Sequence, residues 1–267
     1  RDTQNAYYIY ELTMDGRVQT GIVACASIDD YANNIIKKHE NTRADKEADR
    51  IHHVDTCSAQ TGPIFLAYRT NPIIGEVVAA VKQTPALYDF VADDGIRHRV
   101  FKIGDATQIE AIQNAFAGID DIYIADGHHR AASAVKVGFK RREEHPDYDG
   151  TEEFNYFLSV LFPDEELMIM DYNRVVRDLN GMSKEQFLAK MNELFTVTEI
   201  GGMIGDSIKE SDVRPGKKGD FAMFIDDKWY RCSMKPSDIP DDPVEGLDVS
   251  VLQNLLLAPV LGIGDPK

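Results

Sequence analysis

An apolar strand that runs directly into a tight turn and a helix is the feature that most constrains the fold of this chain. The segment 122–125 is apolar or aromatic, Asp126-Gly127 is typical of a tight turn, and the alanine-rich stretch 130–139 predicts a helix. The first turn of that helix carries His128, His129 and Arg130. Because a helix N-terminus has unpaired N–H groups and the positive end of the dipole, the pattern indicates a site for a phosphate or a carboxylate.

The same residues also fit a purely structural role. Asp126 could cap the helix, Gly127 could supply the turn, and the two histidines could lie at the surface. The small side chains from Ala131 to Ala134 would then serve only to bring the helix close to the sheet. We favour the binding interpretation, because three basic side chains follow the turn directly.

Composition limits the partners of the chain. Its 267 residues are 43% hydrophobic, which is enough for one large or two smaller cores. Asp and Glu outnumber Lys and Arg by 45 to 29, a net charge of −16. A surface this acidic repels nucleic acids and anionic membranes, so we expect neither as a partner. A small anion in a local basic pocket remains compatible with it.

Cysteine spacing and hydropathy indicate a cytoplasmic protein. The three cysteines are far apart and form no CxxC pair, which argues against a disulfide framework and a structural zinc site. No apolar run reaches the length of a membrane span, and no signal peptide opens the chain. The chain lacks an initial Met and stops just past an apolar helix, so we expect a piece of a longer protein that is truncated at both ends.

The order of elements predicts an α+β protein in two parts, because strands and helices mix without regular βαβ alternation. The first part, residues 1–145, contains two N-terminal strands, a strand at 64–68, a hairpin at 90–101 and a helix at 107–116. A polar loop at 140–153 suggests the boundary. The second part, residues 151–267, contains strands at 156–162 and 167–170, a helix at 183–195, a hairpin at 221–234 and an apolar helix at 249–261.

A cationic stripe marks a second candidate region. Thr42 opens a capping-box pattern that should begin a helix running to about Val54. One face of this helix would carry Arg43, Lys46, Arg50 and His53. A solvated helix with internal salt bridges is the ordinary alternative. Just before it, Glu40 could act as a general base or hold a metal ion, or could be an exposed loop glutamate.

Metal ligation on the histidines is a weaker hypothesis. Adjacent side chains point in different directions, so His128 and His129 would rarely bind one ion, and no HExxH pair is present. Asp126 is the better candidate, for Mg²⁺, because hard cations prefer carboxylates. Glycine-rich nucleotide motifs and the GxSxG nucleophile motif are also missing from the sequence.

Several motifs resemble a known bacterial family, the domain of unknown function 1015, over residues 7–261. They are Tyr7–Tyr10, Thr20–Val23, Lys38-His39-Glu40-Asn41-Thr42-Arg43, Lys46–Arg50, Gly62-Pro63-Ile64-Phe65 and Asp126–Arg130. The Gly-His-His-Arg turn is similar to the phosphate-gripping box of the ParB/sulfiredoxin superfamily, which includes free-serine kinases. The resemblance implies a ParB/sulfiredoxin-like mixed sheet with helices in the first part.

The resemblance also implies phosphoryl transfer from ATP or ADP to the hydroxyl of L-serine, with Mg²⁺. Donor phosphates would be held by Gly127, His128, His129 and Arg130, with Arg43 and Arg50 completing the pocket. Asp126 would hold the metal, and Glu40 would take the hydroxyl proton. Sulfiredoxins place a catalytic cysteine where this chain has His128, which excludes thiol repair.

Two other functions remain open at this stage. One is a non-catalytic nucleotide-binding regulatory module of the same fold, and the other is a metal-dependent hydrolase built on the histidines. The sequence leaves open the nucleotide, the acceptor, the oligomeric state and the role of residues 151–267.

Overall fold

The computed structural model describes residues 2–40, 44–206 and 208–264. These form two compact units, Arg1–Met170 and Asp171–Lys267. Among the described residues, no helix combines the length and the apolar character needed to cross a bilayer.

The first unit is built around one eight-stranded mixed sheet. Its elements, in chain order, are β1 (Tyr7–Met14), β2 (Arg17–Ser27), α1 (Ile28–Ala32), β3 (Ile36–Lys37), α2 (Ala44–Cys57), β4 (Ile64–Tyr68), α3 (Pro72–Val81), β5 (Tyr88–Val91), β6 (Arg97–Ile103), α4 (Ala106–Ala117), β7 (Ile122–Asp126), α5 (His128–Glu144) and β8 (Tyr156–Pro163). The capping box predicted at Thr42, before α2, lies outside the described residues.

The strand order is β3-β7-β4-β8-β2-β1-β6-β5. Only the pairs β3–β7 and β4–β8 are parallel, and the other neighbours are antiparallel. This arrangement differs from a doubly wound parallel sheet and confirms the α+β class.

The boundary between the parts lies later than the sequence suggested. Strand β8, which we assigned to a second part beginning at residue 151, lies inside the large sheet between β2 and β4. Val160 pairs with both Val23 and Phe65. The predicted polar loop 140–153 is partly wrong, because α5 continues to Glu144; the rest of it connects α5 back to the same core, and the first unit runs to Met170.

The predicted strand at 167–170 is wrong. Residues 167–170 are irregular and have no strand partner within the described chain, and the side chain of Ile169 is almost fully exposed. Apolar composition predicted a strand there, but a strand also needs a neighbouring edge to satisfy its backbone groups.

Helix α5 lies close to the sheet because its buried face is made of small side chains. Ala131 and Ser133 are completely buried, and Ala132 and Ala134 nearly so. On its other side α5 packs along α2, where Asp55 accepts hydrogen bonds from Lys140 and Arg141. The run of small residues after the Asp-Gly turn therefore has the packing role that the sequence suggested, and it sets the position of the first turn of α5.

The second unit contains a three-stranded antiparallel sheet and short helices. Its elements are α6 (Lys184–Leu194), β9 (Thr196–Gly201), α7 (Glu210–Val213), β10 (Asp220–Ile225), β11 (Lys228–Ser233) and α8 (Asp248–Leu252). A capping box between Ser183 and Gln186 begins α6, and β10 and β11 form the predicted hairpin. The predicted helix at 249–261 is interrupted, because α8 passes into a π-helical turn at Gln253–Leu257.

A buried carboxylate joins three elements of the first unit. Glu11 on β1 is only 1% exposed and contacts Lys82 Nζ at 2.5 Å, next to the end of α3. Arg99 on β6 donates to Glu11 Oε1 from Nε at 2.7 Å. Burial alone would raise the pKa of Glu11, but the hydrogen bonds and charges of the two cations outweigh it and hold the pKa below the ordinary value of 4.5.

Removing this buried charge should destabilise the first unit. We expect Glu11→Gln to lower the free energy of unfolding by about 3 kcal/mol, because Lys82 and Arg99 then lose their shared anion. Urea denaturation followed by circular dichroism would measure the change. The exposed Glu110→Gln, on α4, is the matched control and should stay within about 0.5 kcal/mol of the parent chain. Equal stability of the two variants would contradict a structural role for the ion cluster.

Candidate active site

Strand pairing brings three distant segments of the chain to one edge of the sheet. Because β3 and β7 are parallel, with Ile36 opposite Ile122, the residues that follow both strands emerge at the same end. Strand β4 is antiparallel to β7, with Phe65 opposite Asp126, so the start of β4 lies at that end too. This is why Glu40, the Gly127 turn and Gly62 meet although they are far apart in the sequence.

The turn between β7 and α5 places a glycine at the N-cap position of the helix. Gly127 is the N-cap residue and has a φ of 97°, a left-handed conformation that L side chains rarely adopt. As a glycine, this N-cap residue has no side chain with which to cap α5. Asp126, which could have capped the helix, instead accepts a hydrogen bond from Arg130 Nη2 at 2.7 Å. Asp126 therefore pairs with Arg130 and does not have the capping role that the sequence offered for it.

Two glycines give the Arg130 guanidinium its space. A Cβ added to Gly127 would lie 3.0 Å from Nη2 of Arg130, and one added to Gly62 would lie 3.1 Å from Nη1. Both distances are shorter than ordinary van der Waals contact, so a larger residue at either position would push the guanidinium away. The two backbone turns therefore hold the cation beside the helix N-terminus.

A small cleft opens next to this cation. It contains about 370 Å³ of space, part of it open solvent, and its lining includes Arg50, His53, Gln60, Thr61, Gly62 and Arg130. Arg50 and His53, which the sequence placed on one face of a helix, both reach it from α2. Arg50 also contacts Asp49 at 3.5 Å, and His53 lies 3.4 Å from the hydroxyl of Thr61. Arg43 lies outside the described residues.

Glu40 contacts the first residue of α5. Its Oε2 lies 3.4 Å from Nδ1 of His128, whose side chain is 3% exposed, whereas the side chain of Glu40 is 60% exposed. The ring of His39 packs edge-on against His128 with 4.4 Å between centroids. Burial, and then the neighbouring His39, lower the pKa of His128, and they outweigh the nearby carboxylates of Glu40 and Asp126. The contact therefore joins a carboxylate to a neutral imidazole at pH 7.

Most of the predicted site residues lie at this edge, although His129 and Asp126 are not part of the group that His39, Glu40 and His128 form. His129 is half-buried and its carbonyl accepts from Ser133 at 2.6 Å; it does not belong to the cluster around Glu40. Asp126 pairs with Arg130 and also lies outside that cluster. His39 and Gly62 have roles that residue-by-residue reasoning missed, although both stand in motifs that carry the family resemblance.

A comparison with protein families identifies the class. The family described as "Protein of unknown function (DUF1015)" matches residues 1–250, so the chain belongs to this family. Searches of curated proteins and of solved structures found no match.

Filling the turn with a side chain should cost stability. We expect Gly127→Ala to lower the free energy of unfolding by about 1–2 kcal/mol, because an L residue is strained at this φ. Gly75→Ala is the control: Gly75 lies inside α3 with open space around it, and alanine there should raise stability by up to about 1 kcal/mol. Thermal unfolding of both variants would test the contrast, and a neutral Gly127→Ala would argue against the strained turn.

The contact between Glu40 and His128 can be measured by titration. We expect NMR of the His128 imidazole to give a pKa below 6.5, and Glu40→Gln to lower it further by removing a charge that favours the protonated ring. Because the unfolded chain binds this proton more readily, the site makes stability fall as the pH drops below about 6.5. A His128 pKa that Glu40→Gln leaves unchanged would contradict the contact.

Proposed function

We propose that this chain is a small-molecule kinase that transfers a phosphoryl group from ATP or ADP to the hydroxyl of free L-serine. The observation that carries the proposal is the contact between an exposed carboxylate, Glu40, and the first turn of α5, a helix with a glycine N-cap beside Arg130. A base and an anion-binding site therefore lie within a few ångströms of each other. Phosphoryl transfer depends mainly on this kind of positioning and charge stabilisation.

The donor phosphates would bind at the N-terminus of α5. Backbone N–H groups of the first turn and the helix dipole favour an anion there, and Arg130 and Arg50 supply positive charge at the adjoining cleft. In a chain with a net charge of −16, these two cations would attract a phosphate to this cleft. The ion pair with Asp126 keeps Arg130 oriented until the ligand arrives.

The acceptor hydroxyl would meet Glu40. As the serine oxygen forms its bond to the terminal phosphorus of the donor, the bond to the leaving nucleotide oxygen breaks and the hydroxyl proton passes to the carboxylate. The nucleotide leaves with one phosphate fewer. His128, neutral and buried beside Glu40, positions the carboxylate through Nδ1.

Magnesium fits the chemistry of Asp126. Its side chain is 73% exposed and Arg130 contacts it through Oδ2, so this carboxylate would hold the ion. When bound, Mg²⁺ would neutralise charge on the phosphates.

We also propose that the first unit has a ParB/sulfiredoxin-like fold and works in the cytoplasm, where its nucleotide and serine substrates occur.

A non-catalytic regulatory module is the alternative. The N-terminus of α5 and the arginine cleft would suffice to bind a nucleotide, and Glu40 would then serve only as a partner of His128. The two functions differ in whether Glu40 is needed for a chemical step.

Phosphorus NMR of the chain with Mg²⁺, L-serine and either ATP or ADP tests the proposal. We expect a phosphoserine resonance from the parent chain and a rate lower by about 10²–10⁴ in Glu40→Gln, which loses the base. The exposed Glu76→Gln, on α3, is the matched control and should keep the parent rate. Arg130→Ala should weaken nucleotide binding by at least about tenfold in calorimetry, because it removes charge-assisted hydrogen bonds.

The outcomes separate the two functions. Nucleotide binding that depends on Arg130, without phosphoserine from either donor, would favour the regulatory module. Absence of both binding and product would overturn both proposals.

A further inference from the structure

Three side chains with metal-binding atoms converge beside the proposed phosphate site. One atom from each of His39, Glu40 and His128 lies within 4.8 Å of the others. Nε2 of His39 is 4.0 Å from Oε1 of Glu40, and Nδ1 of His128 is 3.4 Å from Oε2. We call these residues the His-Glu-His cluster. The sequence did not predict this cluster, because the pairing of β3 with β7 brings together residues that are almost ninety positions apart.

We propose that the His-Glu-His cluster binds one divalent transition-metal cation of the zinc class, through a nitrogen of each imidazole and an oxygen of Glu40. Two imidazoles and one carboxylate form a donor set that suits zinc, cobalt and related ions. Magnesium prefers oxygen ligands and retains its water, so this site is chemically different from the one proposed at Asp126. Three protein ligands leave a fourth position for water or substrate.

Burial and exposure in the cluster fit an ion that enters from solvent. His128 is buried and held by the first turn of α5, whereas the side chains of His39 and Glu40 are about 60% exposed and form the open side. Nε2 of His128 is also buried and has no hydrogen-bond partner in the described part of the chain. The other ring nitrogen, Nδ1, faces Glu40 and is therefore the atom of His128 that would bind the ion.

Metal binding would interfere with the base. An ion on the His-Glu-His cluster occupies the Glu40 oxygens that would otherwise accept the serine proton, so we expect the cation to inhibit phosphoryl transfer. This consequence rests on the proposed function. The binding itself does not, and it is measured separately.

Binding can be tested on the tag-free chain with Co²⁺ and Zn²⁺. We expect equilibrium dialysis to show one Zn²⁺ per chain, and Co²⁺ to give the visible absorption of a tetrahedral complex. His39→Ala is the main variant, because His39 is exposed and its loss spares the core. Even outer-shell partners of a metal site contribute about tenfold or more to affinity, so loss of this direct ligand should cost more than about tenfold. His52→Ala, an exposed histidine on α2, is the control and should bind normally.

Three results would overturn the proposal: no stoichiometric ion on the folded parent chain, parent affinity in both His39→Ala and Glu40→Gln, or an equal loss in His52→Ala. Circular dichroism of each variant would establish that it is folded.

Inhibition is read out in the phosphoserine assay. Zn²⁺ should inhibit the parent chain. At the same Zn²⁺ concentrations, His39→Ala should keep the rate that it has without metal. Equal inhibition of both would contradict the overlap between the ion and the base. A chain that binds Zn²⁺ but makes no phosphoserine would refute the kinase and leave the metal site standing.

Discussion

The position of β7 between a parallel and an antiparallel neighbour is the constraint on which the candidate site depends. Its carboxyl end meets the end of β3 on one side and the beginning of β4 on the other. Strand β3 is only two residues long, so its alignment depends on Ile36, which is 1% exposed in the core. The buried side chain of Ile36 therefore fixes the position of Glu40. A shift of β3 by one residue would turn Ile36 out of the core.

Local sequence signals predicted most elements of the fold. They failed where the formation or the sheet membership of a strand depends on residues far away in the chain. Caps and turns act within a few residues, so the helix that begins after Ser183 and the β10–β11 hairpin could be predicted directly. The membership of β8 in the first sheet depends on edges supplied by β2 and β4, far away in the chain. The irregular segment 167–170 shows the converse, since apolar residues without a free sheet edge do not form a strand.

In the candidate site, too, the features formed by contiguous residues were predicted and the contacts between distant segments were not. The turn at Gly127 and the basic first turn of α5 are contiguous and were predicted from composition and spacing alone. The contact of Glu40 with His128 was not predicted, because it requires two strands to be parallel neighbours; the family resemblance implied only that Glu40 is the base. The positions of His39 and Gly62 in the sequence did not show which side chains they would lie beside. Their importance comes from what they touch, a buried ring and a guanidinium.

The neutral state of His128 connects the two proposals made for Glu40. A protonated imidazole would hold the carboxylate in a charge pair and weaken it both as a base and as a metal ligand. Burial and His39 disfavour that protonation, so Glu40 is not held in such a charge pair, and its side chain is exposed. The same environment leaves an imidazole lone pair free for a cation. A phosphate at the N-terminus of α5 would add negative charge beside this cluster and favour the cation further. Nucleotide and transition metal should therefore strengthen each other's binding even while the metal blocks the base, so that inhibition would be greatest when the donor is bound.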